Sequence, residues 1–152
     1  MKFILSKELG KLARWLRILG FDAEYFQKDN RSFLLVQALR DDRIILTRNH
    51  HFPQHLGIRI VLINSEKIKE QVVEVLKALN FQVNKDIMFS RCVICNTALA
   101  AIEKKQVKEK VPGYVFETQN SFLSCLKCGR IYWQGTHWGN VLKTMEEIGF
   151  SV

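Results

Sequence analysis

The sequence contains no long hydrophobic run, no internal repeat and no low-complexity segment. The apolar residues 3–5 are followed at once by polar and charged residues, and no later run approaches the roughly 18 residues that a membrane-spanning helix needs. We therefore expect no signal peptide, no membrane segment and a cytoplasmic protein. Hydrophobic residues make up 47% of the 152 positions, which excludes a disordered chain and suffices for one domain with a core and a small appended module.

Acidic side chains are too few to balance the basic ones, because 15 Asp and Glu stand against 23 Lys and Arg and leave a net charge of +8. This balance favours a polyanion such as a nucleic acid as the partner, and we expect neither a membrane partner nor a small-molecule substrate. Charge alone is a weak argument, since many basic proteins are simply soluble.

Cysteine is absent from the first part of the chain and occurs later as two CxxC pairs, Cys92 with Cys95 and Cys125 with Cys128. Two such turns facing each other form the tetrahedral thiolate site that zinc prefers. Disulfides or redox motifs are the alternative, but each pair is followed by a residue suited to a turn and no secretory signal is expected. Because four thiolates leave the metal no open position, we expect a structural zinc ion.

The rest of the chain alternates between strand and helix patterns. The predicted strands are residues 2–5, 21–26, 43–47 and 58–64, and the predicted helices are residues 7–19, 32–42, 67–79 and 137–148. This order predicts an α/β fold, a parallel sheet flanked by helices. We divide the chain into an α/β domain of residues 1–90, a zinc ribbon of residues 91–135 and a C-terminal helical segment of residues 136–152.

Ligand sites of parallel sheets form beyond the carboxyl ends of the strands. This strand-exit edge contains residues 6–7, 27–31, 48–51 and 64–66. Asp22 starts its strand and lies at the opposite edge, so it is a poor catalytic candidate.

A basic stripe follows the first predicted helix, where the spacing aligns Lys7, Lys11, Arg14 and Arg17 on one face. A solvated helix surface is the ordinary explanation. Because the stripe itself contains no acid, contact with phosphates is an equal candidate.

Several other local features of the sequence lead to separate predictions. The basic connector, residues 103–114, is a candidate hairpin arm, and Ser32 lies near the cap of the second helix. Three aromatic residues near the second CxxC pair favour packing over base stacking, namely Tyr132, Trp133 and Trp138. His137 is expected to cap the final helix or to bond near the zinc loops.

Four segments resemble the Mut-seven C-terminal ribonuclease-domain family, in the right order and over nearly the whole chain. They are "LGKLARWLRILGFD" (9–22), "IILTRN" (44–49), "RCVICN" (91–96) and "CLKCGRIYWQGTHW" (125–138). The resemblance implies a PIN-like nuclease fold joined to a zinc ribbon. It also implies a metal-dependent ribonuclease whose carboxylates hold Mg²⁺ or Mn²⁺ at the strand-exit edge.

This sequence departs from the family pattern at the metal site. Ser6 and Asn49 stand where the family usually has Asp, and Arg31 stands where it commonly has an acid, although Asp29 lies close by. An amide or a hydroxyl lacks the negative charge that a hard cation requires, so a Mg²⁺ or Mn²⁺ site here is doubtful.

Three functions remain open at this point. The first is a protein that has lost or nearly lost catalysis and binds RNA or a ribonucleoprotein through the stripe residues and Arg48. The second is an active endoribonuclease with a rearranged site, in which Glu8, Asp29 and Asn49 act with His50 and His51. The third is a non-catalytic protein-interaction module.

Overall fold

The computed structural model describes residues 1–52, 54 and 57–150. Four strands form a parallel sheet in the order β2-β1-β3-β4, with the bounds β1 (Lys2–Leu5), β2 (Asp22–Tyr25), β3 (Ile44–Thr47) and β4 (Ile60–Leu62). Three short strands form an antiparallel sheet in the order β5-β6-β7, with the bounds β5 (Ala100–Ile102), β6 (Phe122–Ser124) and β7 (Ile131–Tyr132).

The helices surround these two sheets. Their bounds are α1 (Gly10–Ile18), α2 (Arg31–Asp41), α3 (Ile68–Ala78), α4 (Gly113–Thr118) and α5 (Thr136–Glu147), with short 3₁₀ turns at Lys7–Leu9, Lys85–Ile87 and Lys104–Gln106. The predicted α/β class and parallel sheet are therefore confirmed. None of the helices in the described part of the chain has the length and apolarity to cross a bilayer.

The parallel sheet separates two hydrophobic clusters, because successive side chains of a strand point to opposite faces. Phe3 and Leu5 of β1 face a large cluster built with α1, α3 and α5, whereas Ile4 faces a smaller one built with α2. All three side chains are fully buried. This two-sided burial explains why the strands are almost continuously apolar.

The C-terminal helix belongs to the core of the parallel sheet, since Val141 and Met145 of α5 pack in the larger cluster. The division of the chain at residues 90 and 135 stays a prediction. Residues 151 and 152, the end of the predicted segment 136–152, lie outside the described residues.

Asn30, two residues before Ser32, caps α2, because its Oδ1 accepts a hydrogen bond from the Phe33 backbone N–H at 2.9 Å. One local prediction is wrong, since the basic connector is not a hairpin arm but a 3₁₀ turn followed by the start of α4. Its apolar residues Val107 and Val111 are buried in a third cluster, and this spacing of four favours helical turns over strands.

The outer edge of β2 is covered by side chains from α1 and from the residue that follows the first CxxC pair. The Ala23 N–H donates to Asn96 Oδ1 at 3.0 Å, and the Ala23 carbonyl accepts from Arg17 Nε at 2.9 Å. Because β2 is the last strand of its sheet, these backbone groups have no strand partner on that side. The two side chains satisfy both groups and protect an edge that would otherwise invite pairing with another chain.

Asp22, at the amino end of β2, is the centre of a partly buried polar cluster. Its Oδ1 accepts from Arg43 Nη1 and from Asn96 Nδ2, both at 2.7 Å, and Arg91 Nη2 lies 3.7 Å from Oδ2. Burial would raise the pKa of the Asp22 carboxyl, but the bonds from Arg43 and Asn96 and the nearby positive charges hold it below its usual value. Its role is structural.

Replacing Asp22 by Asn should destabilise the protein by about 2 kcal/mol, because it leaves two arginines without their shared carboxylate. The lowered pKa means that this stabilisation is present above about pH 4 and is lost as the pH falls through the folded-state value. Chemical denaturation should therefore show a gap between variant and wild type that is large at pH 7 and narrows progressively as the pH falls below about 4.

The matched control is Glu147→Gln, which removes an exposed ion pair with Lys69. Exposed pairs contribute little, so we expect a change below about 1 kcal/mol. Equal effects of the two substitutions would contradict a structural role for the Asp22 cluster.

Candidate metal centre and nucleic-acid interface

The two CxxC turns adopt the same backbone conformation. Asn96 N–H donates to the Cys92 carbonyl at 2.9 Å, and Gly129 N–H donates to the Cys125 carbonyl at 2.8 Å. Both closing residues have positive φ, 62° for Asn96 and 75° for Gly129, a region that Asn and Gly tolerate best. We call residues 92–96 the first knuckle and residues 125–129 the second.

The knuckles bring all four cysteine sulfurs within 4.8 Å of one another. Cys92 Sγ lies 3.7 Å from Cys128 Sγ. A tetrahedral site with Zn–S bonds of 2.3 Å has sulfurs about 3.8 Å apart, so the arrangement fits a single zinc ion. The hydroxyl oxygen of Tyr132 lies 3.1 Å from Cys92 Sγ, where it can donate to a thiolate and orient it.

The aromatic residues near the second knuckle pack as predicted. Trp138 stacks on Phe89 with ring centroids 4.0 Å apart, Trp133 packs against the cluster around Val107, and Tyr132 contacts Cys92. The predicted cap role of His137 is wrong, because Gly135 is the N-cap of α5 and His137 lies inside the helix.

The strand-exit edge forms a cleft of about 110 Å³ that brings together the predicted site residues Ser6, Glu8, Asp29 and Asn49. Glu8 Oε1 accepts hydrogen bonds from Ser6 Oγ at 2.5 Å and from the Arg48 N–H at 3.0 Å. This oxygen therefore joins the exits of β1 and β3.

Both acids of the cleft are held in their charged form by protein groups. Burial would raise the pKa of the Glu8 carboxyl, but hydrogen bonds from Ser6, Arg48 and Thr47 together lower it. Asp29 Oδ2 lies 2.6 Å from Lys7 Nζ, and this bond and charge lower the pKa of Asp29. A bound cation would have to compete with these contacts.

Asn49 shapes the loop that follows β3. Its Oδ1 accepts from the His51 N–H at 2.9 Å, forming a turn closed by the side chain. Arg31 Nη1 donates to the His51 carbonyl at 3.3 Å. Within the described ranges, the cysteine cluster is the only group of three or more His, Cys, Asp or Glu placed to share a metal ion.

Sequence reasoning missed two residues at this edge. Thr47 is fully buried, and its hydroxyl lies 3.3 Å from Glu8 Oε1 and accepts from the Asn49 N–H at 3.1 Å. Glu74 accepts from the backbone N–H groups of Asn64 and Ser65 and so holds the loop after β4. The polar end of the β3 strand pattern was a signal for Thr47, whereas nothing local marks Glu74, which lies within α3.

The predicted basic stripe is only partly a surface. Lys7, Lys11 and Arg14 are exposed, but Arg17 is 7% exposed, and its Nη1 donates to the carbonyls of Val93 at 2.8 Å and Ile94 at 3.0 Å. Arg17 is therefore not available to an external phosphate, and its placement among the binding residues is wrong. It holds the first knuckle against α1 instead.

Arg48 is half-buried at the same edge. Its Nη2 lies 3.5 Å from Glu66 Oε1, a carboxylate that is 86% exposed. Arg48 Nε is buried and has no hydrogen-bond partner among the described residues. Since the pair with Glu66 is long and solvated, it contributes little and leaves the guanidinium free to accept another anion.

Purified protein should contain about one zinc ion per chain, measured by elemental analysis. Cys125→Ser should lose the metal and expose the antiparallel sheet to proteolysis, because binding of the ion contributes directly to folding of a small metal-held unit. The parallel sheet should resist better, since most residues of its hydrophobic clusters lie outside the two knuckles.

Lys127→Ala, an exposed position inside the same knuckle, should keep the metal and the proteolytic pattern of the wild type. Zinc-free protein with an ordered antiparallel sheet would contradict this assignment of the metal.

Comparisons with known proteins agree with this arrangement of sheet, edge and cysteine site. The family model described as "Mut7-C RNAse domain" matches residues 1–145, which is nearly the whole chain. No curated protein and no solved structure matches it. A match of this extent identifies the family, and the chain belongs to the Mut7-C RNAse domain family.

Proposed function

We propose that this protein binds single-stranded regions of RNA through its basic strand-exit edge and has lost, or nearly lost, metal-dependent hydrolysis. The proposal rests on the contacts that the two acids of the cleft, Glu8 and Asp29, make with other groups of the protein. Glu8 is bonded to Ser6 and to the Arg48 backbone, and Asp29 is paired with Lys7. A cation at either carboxylate would have to compete with these contacts.

The chemistry of phosphodiester hydrolysis explains why this matters. Two hard cations activate the water and stabilise the leaving oxygen, and both require negatively charged oxygen ligands. Ser6 contributes a hydroxyl that donates to Glu8, and Asn49 contributes an amide oxygen that already closes its own turn. This donor set does not fit a two-metal centre.

The same edge suits a phosphate backbone without a metal. Lys7, Lys11 and Arg14 are exposed, and Arg48 offers a partly exposed guanidinium whose ion pair with Glu66 is long and solvated. Binding of RNA to such residues releases condensed counterions, which supplies affinity without any reading of the base sequence.

Zinc has a structural part in this proposal. Four cysteines fill its coordination, so it holds the knuckles and performs no step on RNA. The cleft residues Glu8 and Asp29 still lie together, which makes an active endoribonuclease with a rearranged site the second candidate.

RNA binding should not require Mg²⁺ and should weaken steeply as salt rises. Lys11→Ala, Arg14→Ala and Arg48→Ala should each lower the affinity several-fold and reduce the salt slope by about 1, measured by fluorescence anisotropy with a labelled single strand in EDTA.

Lys85→Ala is the control. It removes the same charge from the 3₁₀ turn Lys85–Ile87, and Ile87 lines a different cleft with Met1 and Asp22, at the opposite edge of the sheet. An equal loss for Lys85→Ala and Lys11→Ala would mean that only net charge matters and would overturn the edge as the binding site.

Restoring carboxylates should restore a cation site. The triple variant Ser6→Asp, Arg31→Asp, Asn49→Asp places three negative groups at adjoining strand exits, and we expect it to bind Mn²⁺ at concentrations at which the wild type does not. Calorimetry or Mn²⁺ electron paramagnetic resonance measures the gain, and weak RNA cleavage can accompany it.

The uncharged counterpart Ser6→Asn, Arg31→Asn matches the size of the new side chains without their charge and should not bind Mn²⁺. If the natural protein cleaves RNA rapidly with Mn²⁺, and Glu8→Gln or Asp29→Asn abolishes the cleavage, the site is rearranged and the second candidate is correct.

A further inference from the structure

We propose that the RNA site continues from the strand-exit edge over α1 to the first zinc knuckle, so that the zinc module forms one wall of it. This inference rests on the proposed function and extends it to a surface that the family match does not assign. It names the first-knuckle residue Ile94 as a contact for an RNA base.

A groove of about 410 Å³ separates α1 from the first knuckle. Helix α1 contributes the cations of Lys11 and Arg14 and the buried Arg17, the first knuckle contributes Val93 and Ile94, and Tyr25 of β2 also lines the groove. None of the residues that line it is acidic. Cations beside apolar and aromatic groups match the phosphates and bases of a single strand.

The groove is held open by a built contact. Arg17 is buried below it and donates to the carbonyls of Val93 and Ile94, which fixes the tip of the knuckle relative to α1. With the backbone anchored in this way, the Ile94 side chain remains 46% exposed. A base that packs against Ile94 would shield this large apolar side chain from water at the rim of the basic groove.

The groove is continuous with the strand-exit edge. Gly10 and Lys11 also line a cleft of about 690 Å³ that reaches Arg48, and Glu8 lines both that cleft and the smaller one at Asn49. An extended, flexible polyanion can follow such a path around the start of α1. A rigid duplex contacts a surface through its regular backbone and does not place bases against Ile94.

The test compares equivalent substitutions in the two knuckles. Leu126 is the matched control for Ile94, since it is an exposed apolar residue of the second knuckle, 81% exposed, and does not line the groove. Ile94→Glu should weaken binding of a labelled single strand about tenfold, because it puts a like charge beside phosphates. Leu126→Glu should change it less than twofold.

Three further measurements complete the test. Both variants should retain the zinc content and circular dichroism of the wild type. Ile94→Ala should weaken binding several-fold while leaving the salt slope unchanged, since it removes an apolar contact and no charge. Strands containing 4-thiouridine should crosslink to the peptide that carries Ile94.

The outcomes separate this inference from the proposed function. If the wild type binds RNA with the expected salt dependence but the two Glu variants behave alike, the extension of the site to the first knuckle is wrong. The proposed site at the strand-exit edge is then unaffected. If the wild type binds no RNA, the proposed function itself fails. Stronger binding of duplex than of single strand, unaffected by Ile94→Glu, would also overturn the groove.

Discussion

The buried guanidinium of Arg17 is the contact on which the arrangement of the molecule depends. It donates to Ala23 at the edge of the parallel sheet and to Val93 and Ile94 in the first knuckle. Burial lowers the pKa of this arginine, and such a charge is tolerated only when its donors are paired. The negative charge of Glu24 in β2 opposes this loss of charge, and the hydrogen bonds to Ala23, Val93 and Ile94 pair the donors of the guanidinium.

Through this contact, α1 packs against both the parallel sheet and the first knuckle. Its apolar side packs on the parallel sheet through Leu12 and Leu16, and Arg17 docks the first knuckle. Only the remaining surface, with Lys11 and Arg14, faces solvent. Both proposals use this surface, because it borders the strand-exit edge at one end and the zinc module at the other.

The strand-exit edge is held together by hydrogen bonds between the residues that follow β1 and β3. Two carboxylates at positions 6 and 8 would repel each other unless a metal lay between them. The Ser6 hydroxyl instead donates to Glu8, and Glu8 also accepts from the Arg48 backbone. These hydrogen bonds lower the pKa of Glu8, so its carboxylate stays charged beside the basic residues of the edge.

The sequence by itself determined the strands of the parallel sheet, most of the helices and the pairing of the two CxxC turns, because apolar periodicity and CxxC spacing are local properties. The parallel sheet and the four clustered cysteines follow from them directly. The tertiary structure decided which polar side chains are free. Arg17 continues the spacing of Arg14 and looks like one more solvated base, but a segment 76 residues later covers it. No neighbour in the sequence indicates a partner for Glu8, and only the fold places the end of β3 beside it. Exposure at such border positions depends on packing between distant segments, and no local pattern records that.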